Sequence, residues 1–558
     1  MEPLLVTGSP PTPNGDLHVG HLSGPYLAAD VFARHQRQRG RRTLYLVGSD
    51  DNQSFVSTTA RRLGRDPREL ARHYTDVIQD TLRAARIKID GYETALDNAE
   101  YTAFVQDFFL DLYRRGELVA DTRPAPWCEA CRRFVFESFV KGRCPHCGEG
   151  ANGNLCEACG RAGNAAELVD PRCVTCGGPA VLREYRGIFF PLERHRAALA
   201  ATYEARPAWR AHTRALCRWL AQRPMADYPA SYPGGGWGIP VPVQGFEDQV
   251  INVWLEMFPG YVYTTRAWCA RRGEPETAER IWSGGGARVH FFGYDNSFCH
   301  AVLHAALALA SGGRYALPES VVVNEFYFLE NDKFSTSQNH AVWGTDILAA
   351  VPADALRYHV CRTNPEFMQS SFSLASLSRT LEEELAGTWG GTVNRFLAHM
   401  RETRDGVIPA APDPDLQAQG LLGWARESLE RQYGLEQFTL RGAAATLGGY
   451  VEGCAAFLDR RVLAPAAEAR LREVRAGSAG WLLTGLAVFA APILPDFAGE
   501  LWEALGRPGS VHQARWDEAL RPPQAESRAG APREWYPRPR PVELAAVPGE
   551  GRPALAAV

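Results

Sequence analysis

The sequence predicts an α/β protein: a doubly wound parallel sheet, interrupted by a cysteine-rich insertion and followed by an α-helical bundle. Three observations carry this. Strand and helix patterns alternate over residues 4–118 and resume after residue 229, where Val321-Val322-Val323 reads as a buried strand. Four Cys-x-x-Cys pairs crowd the stretch between them. From residue 386 to 520 the apolar positions recur at helical spacing, as in residues 440–461. At 558 residues, 45% hydrophobic and 22% charged, the chain has room for three or four domains.

The first strand is the apolar run Leu4-Leu5-Val6-Thr7, and a Pro/Gly-rich turn leads from it to a helical pattern over residues 22–39. The entry to that helix reads His18-Val19-Gly20-His21. Helix-entry amides have no intrahelical partner and lie at the positive end of the dipole, so two histidines there can meet a polyphosphate. Gly20 lets the backbone come close. An ordinary strand-to-helix turn with two surface histidines would read the same way.

A second motif shifts that balance. Only three lysines occur, Lys88, Lys141 and Lys333, and arginine serves wherever else a cation is used. Lys333 opens Lys333-Phe334-Ser335-Thr336-Ser337, a compact ammonium beside two serine hydroxyls, which suits a phosphate better than a forked guanidinium does.

The pairs Cys128/Cys131, Cys144/Cys147, Cys156/Cys159 and Cys173/Cys176 have the spacing of tetrahedral tetrathiolate zinc. Eight ligands make two closed, structural sites. No signal-peptide pattern opens the chain, so thiolates are expected rather than disulfides. Neighbouring pairs in chain order are expected to share an ion, with a crossed pairing open. The net charge of −4 gives no global attraction to nucleic acid. The longest apolar stretch, residues 481–494, is too short to span a bilayer and is ended by Pro495. A cytoplasmic monomer is the expectation.

The two phosphate motifs resemble the HIGH and KMSKS signatures of class I aminoacyl-tRNA synthetases. Thr7 through His21, Gly48-Ser49-Asp50-Asp51, the Phe139 to Cys147 stretch, Val253-Trp254-Leu255, Phe292-Gly293-Tyr294-Asp295 and Lys333 to Ser337 follow the order seen in methionyl-tRNA synthetases. The likeness covers about residues 4–520. It implies a Rossmann-type catalytic domain in two parts, residues 1–118 and 229–339, a connective zinc-knuckle insertion over 119–228 and a connecting region over 340–385. It further implies an anticodon-binding-like helical bundle over 386–520, with a Pro/Arg-rich tail over 521–558 that composition marks as unpacked.

The resemblance implies formation of an aminoacyl-adenylate from ATP, with Mg2+, and transfer to tRNA. By position, His18, His21 and Lys333 act on the phosphates. Gly20, Gly293, Asp295, Ser335 and Ser337 bind ATP, with Asp295 on the ribose. Asp51 receives the α-ammonium of the amino acid. Pro10, Thr12, Trp254, Met257, Phe258, Tyr261, Asn296 and His300 fall at amino-acid-pocket positions.

Departures from the pattern are specific. Thr336 replaces the second lysine of KMSKS, a charge-assisted bond worth about 1.5–3 kcal/mol and so about ten- to hundredfold in rate. In the pocket, Pro10 and Thr12 stand for Leu and Tyr, Met257-Phe258 for Ala-Pro, and Asn296 for an aliphatic residue. Thr12 and Asn296 add polarity and the larger pair adds bulk, whereas a thioether wants an apolar lining. In the bundle, Asn394 lies one turn before the family's anticodon asparagine, which is Ala398 here, and Leu463-Ala464-Pro465-Ala466 lacks the family's stacking tryptophan. Residues 391–520 carry 13 arginines, no lysine and 16 acidic residues. These changes keep open a paralogue that activates another amino acid and passes it to a small-molecule amine, hydroxylamine or hydroxyl without tRNA.

Overall fold

The computed structural model describes residues 2–156, 158–161, 163–206, 209–233, 236–330, 341–465 and 468–537, and the backbone of 332–333. Phe334, Ser335, Thr336, Ser337 and Ala466, with the side chain of Lys333, lie outside the described residues.

Five parallel strands form the central sheet: β1 (Leu4–Gly8), β2 (Thr43–Gly48), β3 (Gly91–Glu93), β4 (Ala287–Gly293) and β5 (Ser320–Asn324). Their order is β5-β4-β1-β2-β3, so the chain turns outward in opposite directions from β1. This is the doubly wound topology, and its switch point falls between the carboxyl ends of β1 and β4. All five residues of β1 are buried, as a strand covered by helices on both faces must be. Two cores flank the sheet accordingly, one holding Val6 and the other Leu5.

After β1 the chain is helical from Val19 onward, three residues earlier than the apolar period indicates. Helix α1 (Leu27–Gln38) is preceded by a π-helical turn, Leu22–Tyr26, that contains Pro25, whose missing N–H removes one ladder bond. The close approach there is real: a Cβ on Gly24 would lie 2.3 Å from the side chain of Asn324 at the end of β5. Helices α2 (Ser54–Leu63) and α3 (Pro67–Ala84) follow β2, and α4 (Ala99–Arg114) follows β3.

Between α4 and β4 the chain leaves the sheet on a long two-stranded ribbon, Val119–Cys128 against Ala180–Phe190, in antiparallel register. The knuckles sit at its far end. The insertion then adds helices α5 (Arg196–Glu204) and α6 (Ala211–Ala221), and the long α7 (Val253–Ala270) returns to the sheet.

Helix α8 (Ala353–Thr363) joins the catalytic region to the bundle. Its Arg357 is 2% exposed and donates to Asp30 in α1 (2.7 Å) and to the carbonyls of Ala85, Pro492 and Ile493. Burial alone raises the Asp30 carboxyl, but Arg34 and Arg357 outweigh it and hold Asp30 below the usual range. The bundle comprises α9 (Gly391–Arg404), α10 (Leu416–Tyr433), α11 (Leu440–Phe457), α12 (Ala469–Ala490) and α13 (Pro495–Ala504).

The tail corrects an expectation. Ser527–Arg528 pairs with Val407–Ile408, and Trp535 and Tyr536 are buried against Phe497. Proline and arginine content argued for an unpacked tail over 521–558, but two aromatics within it supply enough apolar area to anchor residues up to 537. Residues 538–558 lie outside the described residues.

Candidate active site

At the switch point, the loops after β1 and β4 lie side by side, with Ser9 N–H donating to Phe291 O at 2.9 Å. His18 and His21 cap the helix reciprocally: the His18 backbone N–H donates to His21 Nδ1 and the His21 N–H to His18 Nδ1, each at 3.3 Å. The rings stack at 3.7 Å with 18° between planes. Because both Nδ1 atoms accept, each neutral ring carries its proton on Nε2. His21 is open to solvent yet closely surrounded by protein atoms, and this desolvation pulls it down to about 4; His18 is pulled well below its usual value for the same reason, aided by His21. The pair is thus two neutral N–H donors at a helix N-terminus.

The segment that follows the Lys333 motif is laced to this turn, which the sequence did not signal. Val19 N–H donates to Val342 O (3.0 Å) and Gly344 N–H to Leu17 O (2.7 Å). A Cβ on Gly344 would lie 2.3 Å from Thr81 Cγ2. Asp16 completes the clasp, accepting from Leu17 N–H (2.7 Å), Thr81 Oγ1 (2.6 Å), Thr345 N–H (3.1 Å) and Thr345 Oγ1 (2.8 Å). The backbone of Lys333 pairs with Phe328 in a short hairpin.

On the other loop, a Cβ on Gly293 would meet Asp295 Oδ1 at 2.6 Å, so glycine is what lets that carboxylate fold back. Tyr294 stacks on His212 of α6 at 3.9 Å, and His212 Nδ1 lies 2.7 Å from Glu325 Oε1.

Beyond Pro10 lies a cavity of about 20 Å³ that holds Asp50, Tyr101, Glu256, Met257 and Tyr261 in its wall. Of the sequence-predicted pocket residues it includes Pro10, Met257 and Tyr261. His300 stands behind Tyr261, 2.9 Å from its hydroxyl, and is fixed by the carbonyl of Asn296 at 3.2 Å. Thr12 donates to Asp50 Oδ2 at 3.0 Å. Phe258 is turned into the core with Phe108, Trp282 and Tyr315, and Trp254 offers its carbonyl to His304. Neither lines the cavity. Helical spacing explains this: the cavity takes the face of α7 that carries Val253, Glu256, Met257, Gly260, Tyr261 and Thr264, and Trp254 and Phe258, one turn apart, lie on the other side.

Asp51 also departs from its expected place. Its carboxylate accepts from the N–H groups of Ala95 (2.7 Å) and Leu96 (2.9 Å) and from Ser49 Oγ, while its neighbour Asp50 faces the cavity. Burial pushes Asp50 up to about 7, against the opposing bonds from Thr12 and Gln53. Glu256, which the sequence reading passed over, is pushed by burial to about 8.

The cysteines form two nested tetrads. Cys128, Cys131, Cys173 and Cys176 meet in one, and Cys144, Cys147, Cys156 and Cys159 in the other. This corrects the expected pairing in chain order. The ribbon register sets Cys128 opposite Ala180, which folds the last knuckle onto the first and leaves the middle two to each other. Sulfur–sulfur distances of 3.4 and 3.8 Å in the outer tetrad and 3.5 and 3.9 Å in the inner one match the roughly 3.8 Å edge of a tetrahedron with Zn–S bonds of about 2.3 Å. The donors therefore fit zinc. The inner knuckle abuts the catalytic loop, where a Cβ on Gly160 would come within 2.9 Å of the Tyr294 ring.

The family described as tRNA synthetases class I (M) matches residues 4–397. The chain belongs to it. Methionine--tRNA ligase of Thermomicrobium roseum is 33% identical over 505 residues, 89% of this chain and 85% of the relative. That of Aeropyrum pernix is 33% identical over 530 residues, 93% and 91% of the two chains. Methionyl-tRNA synthetase of Mycobacterium tuberculosis, solved with methionyl-adenylate, superposes with a TM-score of 0.78 at 22% identity, covering 96% of this chain and all of that one, and shows the shared fold. This class I synthetase is an ATP-dependent aminoacyl ligase of the methionyl type. The comparisons do not favour the small-molecule paralogue. Among the described residues no helix is long and apolar enough to cross a membrane.

In the bundle, Asn394 is occupied by the tail: its Oδ1 accepts from Arg533 N–H (3.1 Å) and Trp535 Nε1 (2.8 Å), and its Nδ2 donates to Arg533 O (2.7 Å). The exposed tryptophan of the bundle is Trp424 on α10, 46% exposed.

Proposed function

We propose that the switch-point cleft joins an amino acid to AMP and passes the acyl group to tRNA. The amino acid's carboxylate attacks the α-phosphorus of ATP, the bond to the β-phosphate oxygen breaks, and pyrophosphate leaves. His18 and His21 offer neutral Nε2–H donors to the phosphate charge that grows in that step, with the helix amides and Gly20 beside them. Lys333, Ser335 and Ser337 serve the pyrophosphate side, and Gly293 with Asp295 the ribose. ATP enters with Mg2+, which neutralises part of the phosphate charge. The observation that carries this reading is the reciprocal His18/His21 cap, which sets two donors at a helix N-terminus and is laced to the segment that follows the Lys333 motif.

The α-ammonium is assigned to Asp50 rather than Asp51, since Asp50 lines the cavity and Asp51, which is not among its lining residues, already accepts from Ala95, Leu96 and Ser49. The nested tetrads hold two structural Zn2+, closed to substrate. A cytoplasmic monomer belongs to the same reading.

ATP–pyrophosphate exchange across the twenty amino acids, with Lys333→Ala as blank, tests the first step, and charging of bulk tRNA tests the second. Exchange abolished by Lys333→Ala together with tRNA charging supports the reading. Exchange without charging of any tRNA removes tRNA as the acceptor. Metal analysis is expected to return two zinc ions per chain, falling to one in Cys156→Ser.

A further inference from the structure

Near the end of α6, Trp219 carries two guanidiniums. Arg161 of the inner knuckle lies over its ring at 3.9 Å from the centroid, and Arg223, just past the helix, lies at 4.0 Å. One face has no room for both, so the ring is sandwiched and the two charges stand within about 8 Å of each other. Arg223 also donates from Nη1 to Trp219 O at 3.0 Å, but among the described residues neither cation has a carboxylate partner. Arg218 on the same helix differs, because Glu204 pairs with it. Like charges brought this close repel, and the ring only partly offsets that, so the pair is suited to an anion.

Position narrows which anion. A Cβ on Gly160 would come within 2.9 Å of the Tyr294 ring and 3.3 Å of Leu216 on α6, and Tyr294 stacks on His212, two turns before Trp219. The sandwich therefore adjoins the loop that carries Gly293 and Asp295. Glu325, the acid on this side, is engaged by His212. Residues 194–223 carry seven arginines against one acidic residue, in a chain of net charge −4 whose bundle holds more acidic than basic groups. A polyanion coming to the cleft thus meets its opposite charge on the insertion. The ATP phosphates are assigned to the His18/His21 corner, which leaves this pair for the polyanion of the second step. Guanidiniums stacked on an aromatic ring keep their N–H edges free, the arrangement that suits phosphodiester oxygens.

We propose that Arg161 and Arg223, held on Trp219, grip phosphodiester groups of the tRNA acceptor strand as its 3′ end enters the cleft. Trp219 is the positioning residue, since it fixes both guanidinium planes. The inference rests on the tRNA-acceptor reading given above.

The test is steady-state charging of a methionine tRNA transcript by the full chain and its Arg161→Gln, Arg223→Gln, Arg161→Gln/Arg223→Gln, Arg161→Lys and Arg218→Gln variants, with ATP–pyrophosphate exchange, zinc content and melting curves measured beside it. Each single glutamine variant at the sandwich should raise KM for tRNA about fivefold or more, and the double variant further, while exchange stays within about twofold. The slope of log kcat/KM for tRNA against log salt should become shallower by about 0.7 for each arginine removed, the counterion release of one single-strand phosphate contact. Arg161→Lys, which keeps the charge, should keep most of that slope, and Arg218→Gln should leave KM for tRNA within about twofold. An unchanged KM for tRNA in the double variant overturns the assignment. So does an equal effect of Arg218→Gln, which would reduce it to net charge, and so does a loss of exchange or zinc that matches the loss of charging, which would make the sandwich a staple between knuckle and catalytic loop. No charging of the transcript by the unaltered chain, with exchange intact, overturns the tRNA reading and this assignment with it.

Discussion

The phosphate corner and the amino-acid cavity lie at two ends of one loop, yet they are built by different rules. At the corner, backbone does most of the work: a helix N-terminus, two histidines that cap each other, and a returning segment bound through Val342, Gly344 and Thr345. In the cavity, side chains decide, and a change from one residue to the next along α7 sends Met257 into the wall and Phe258 into the core. A site made of backbone donors tolerates sequence change around it. A site made of packed side chains changes its ligand when a few residues change, so the corner keeps the family's chemistry while the cavity is free to alter its choice.

The sharpest way to break this contrast is at the histidines. His18→Ala and His21→Ala are each expected to lower the exchange rate by about 10²–10³, the usual effect of removing one preorganised donor, with little change in KM for the amino acid. A comparable rise in amino-acid KM would show that the corner and the cavity are one cooperative unit.

A smaller effect is expected at the clasp. Asp16→Asn turns an amide N–H₂ toward donors at Thr81 or Thr345 and loses part of a four-bond acceptor, at roughly 1–1.5 kcal/mol or about five- to tenfold. If the clasp positions the segment leaving the Lys333 motif, the loss falls on KM for ATP and on kcat while the melting temperature moves little. A fall in melting temperature alone would make Asp16 a structural cap.

What was legible in the sequence follows the same division. Doubly wound topology was readable because a strand buried on both faces must be largely apolar, and β1 opens Leu4-Leu5-Val6. The helix-entry histidines and the eight cysteines were readable because their types and spacings are fixed by phosphate and thiolate chemistry. Pairing of the cysteines was not, because it depends on a ribbon register that sets Cys128 opposite Ala180, a long-range fact with no local signature. The Asp16 clasp joins residues more than 300 positions apart and was invisible for the same reason. Asp50 and Asp51 were indistinguishable by type, and only the position of Ala95 and Leu96 reveals which of them is spent. Tail packing was missed because composition averages over Trp535 and Tyr536, which decide it.

The smallest predicted effect separates those two aspartates. Burial raises Asp50 from an ordinary 3.8 to about 7, so the folded chain holds a proton there that the unfolded chain releases. Stability from this group is therefore full below about pH 4 and is lost as pH rises toward 7, by the linkage between bound protons and unfolding. Glu137 and Asp354, raised to about 7, and Glu256, raised to about 8, act in the same direction. Buried neutral histidines such as His35, His290 and His300, lowered by desolvation, oppose this trend up to about pH 6.5, so the fall in melting temperature should be read between pH 6.5 and pH 8, and Asp50→Asn, which cannot ionise, should make that fall shallower by about a degree. The same variant should raise KM for the amino acid, because a neutral amide replaces the carboxylate facing the ammonium. Asp51→Asn should instead lower the melting temperature at every pH, because its amide cannot accept from Ser49, Ala95 and Leu96 together, and should leave KM for the amino acid in place; burial raises Asp51 as well, so KM rather than the pH slope separates the two. If instead Asp51→Asn alone raises KM, the ammonium sits on Asp51.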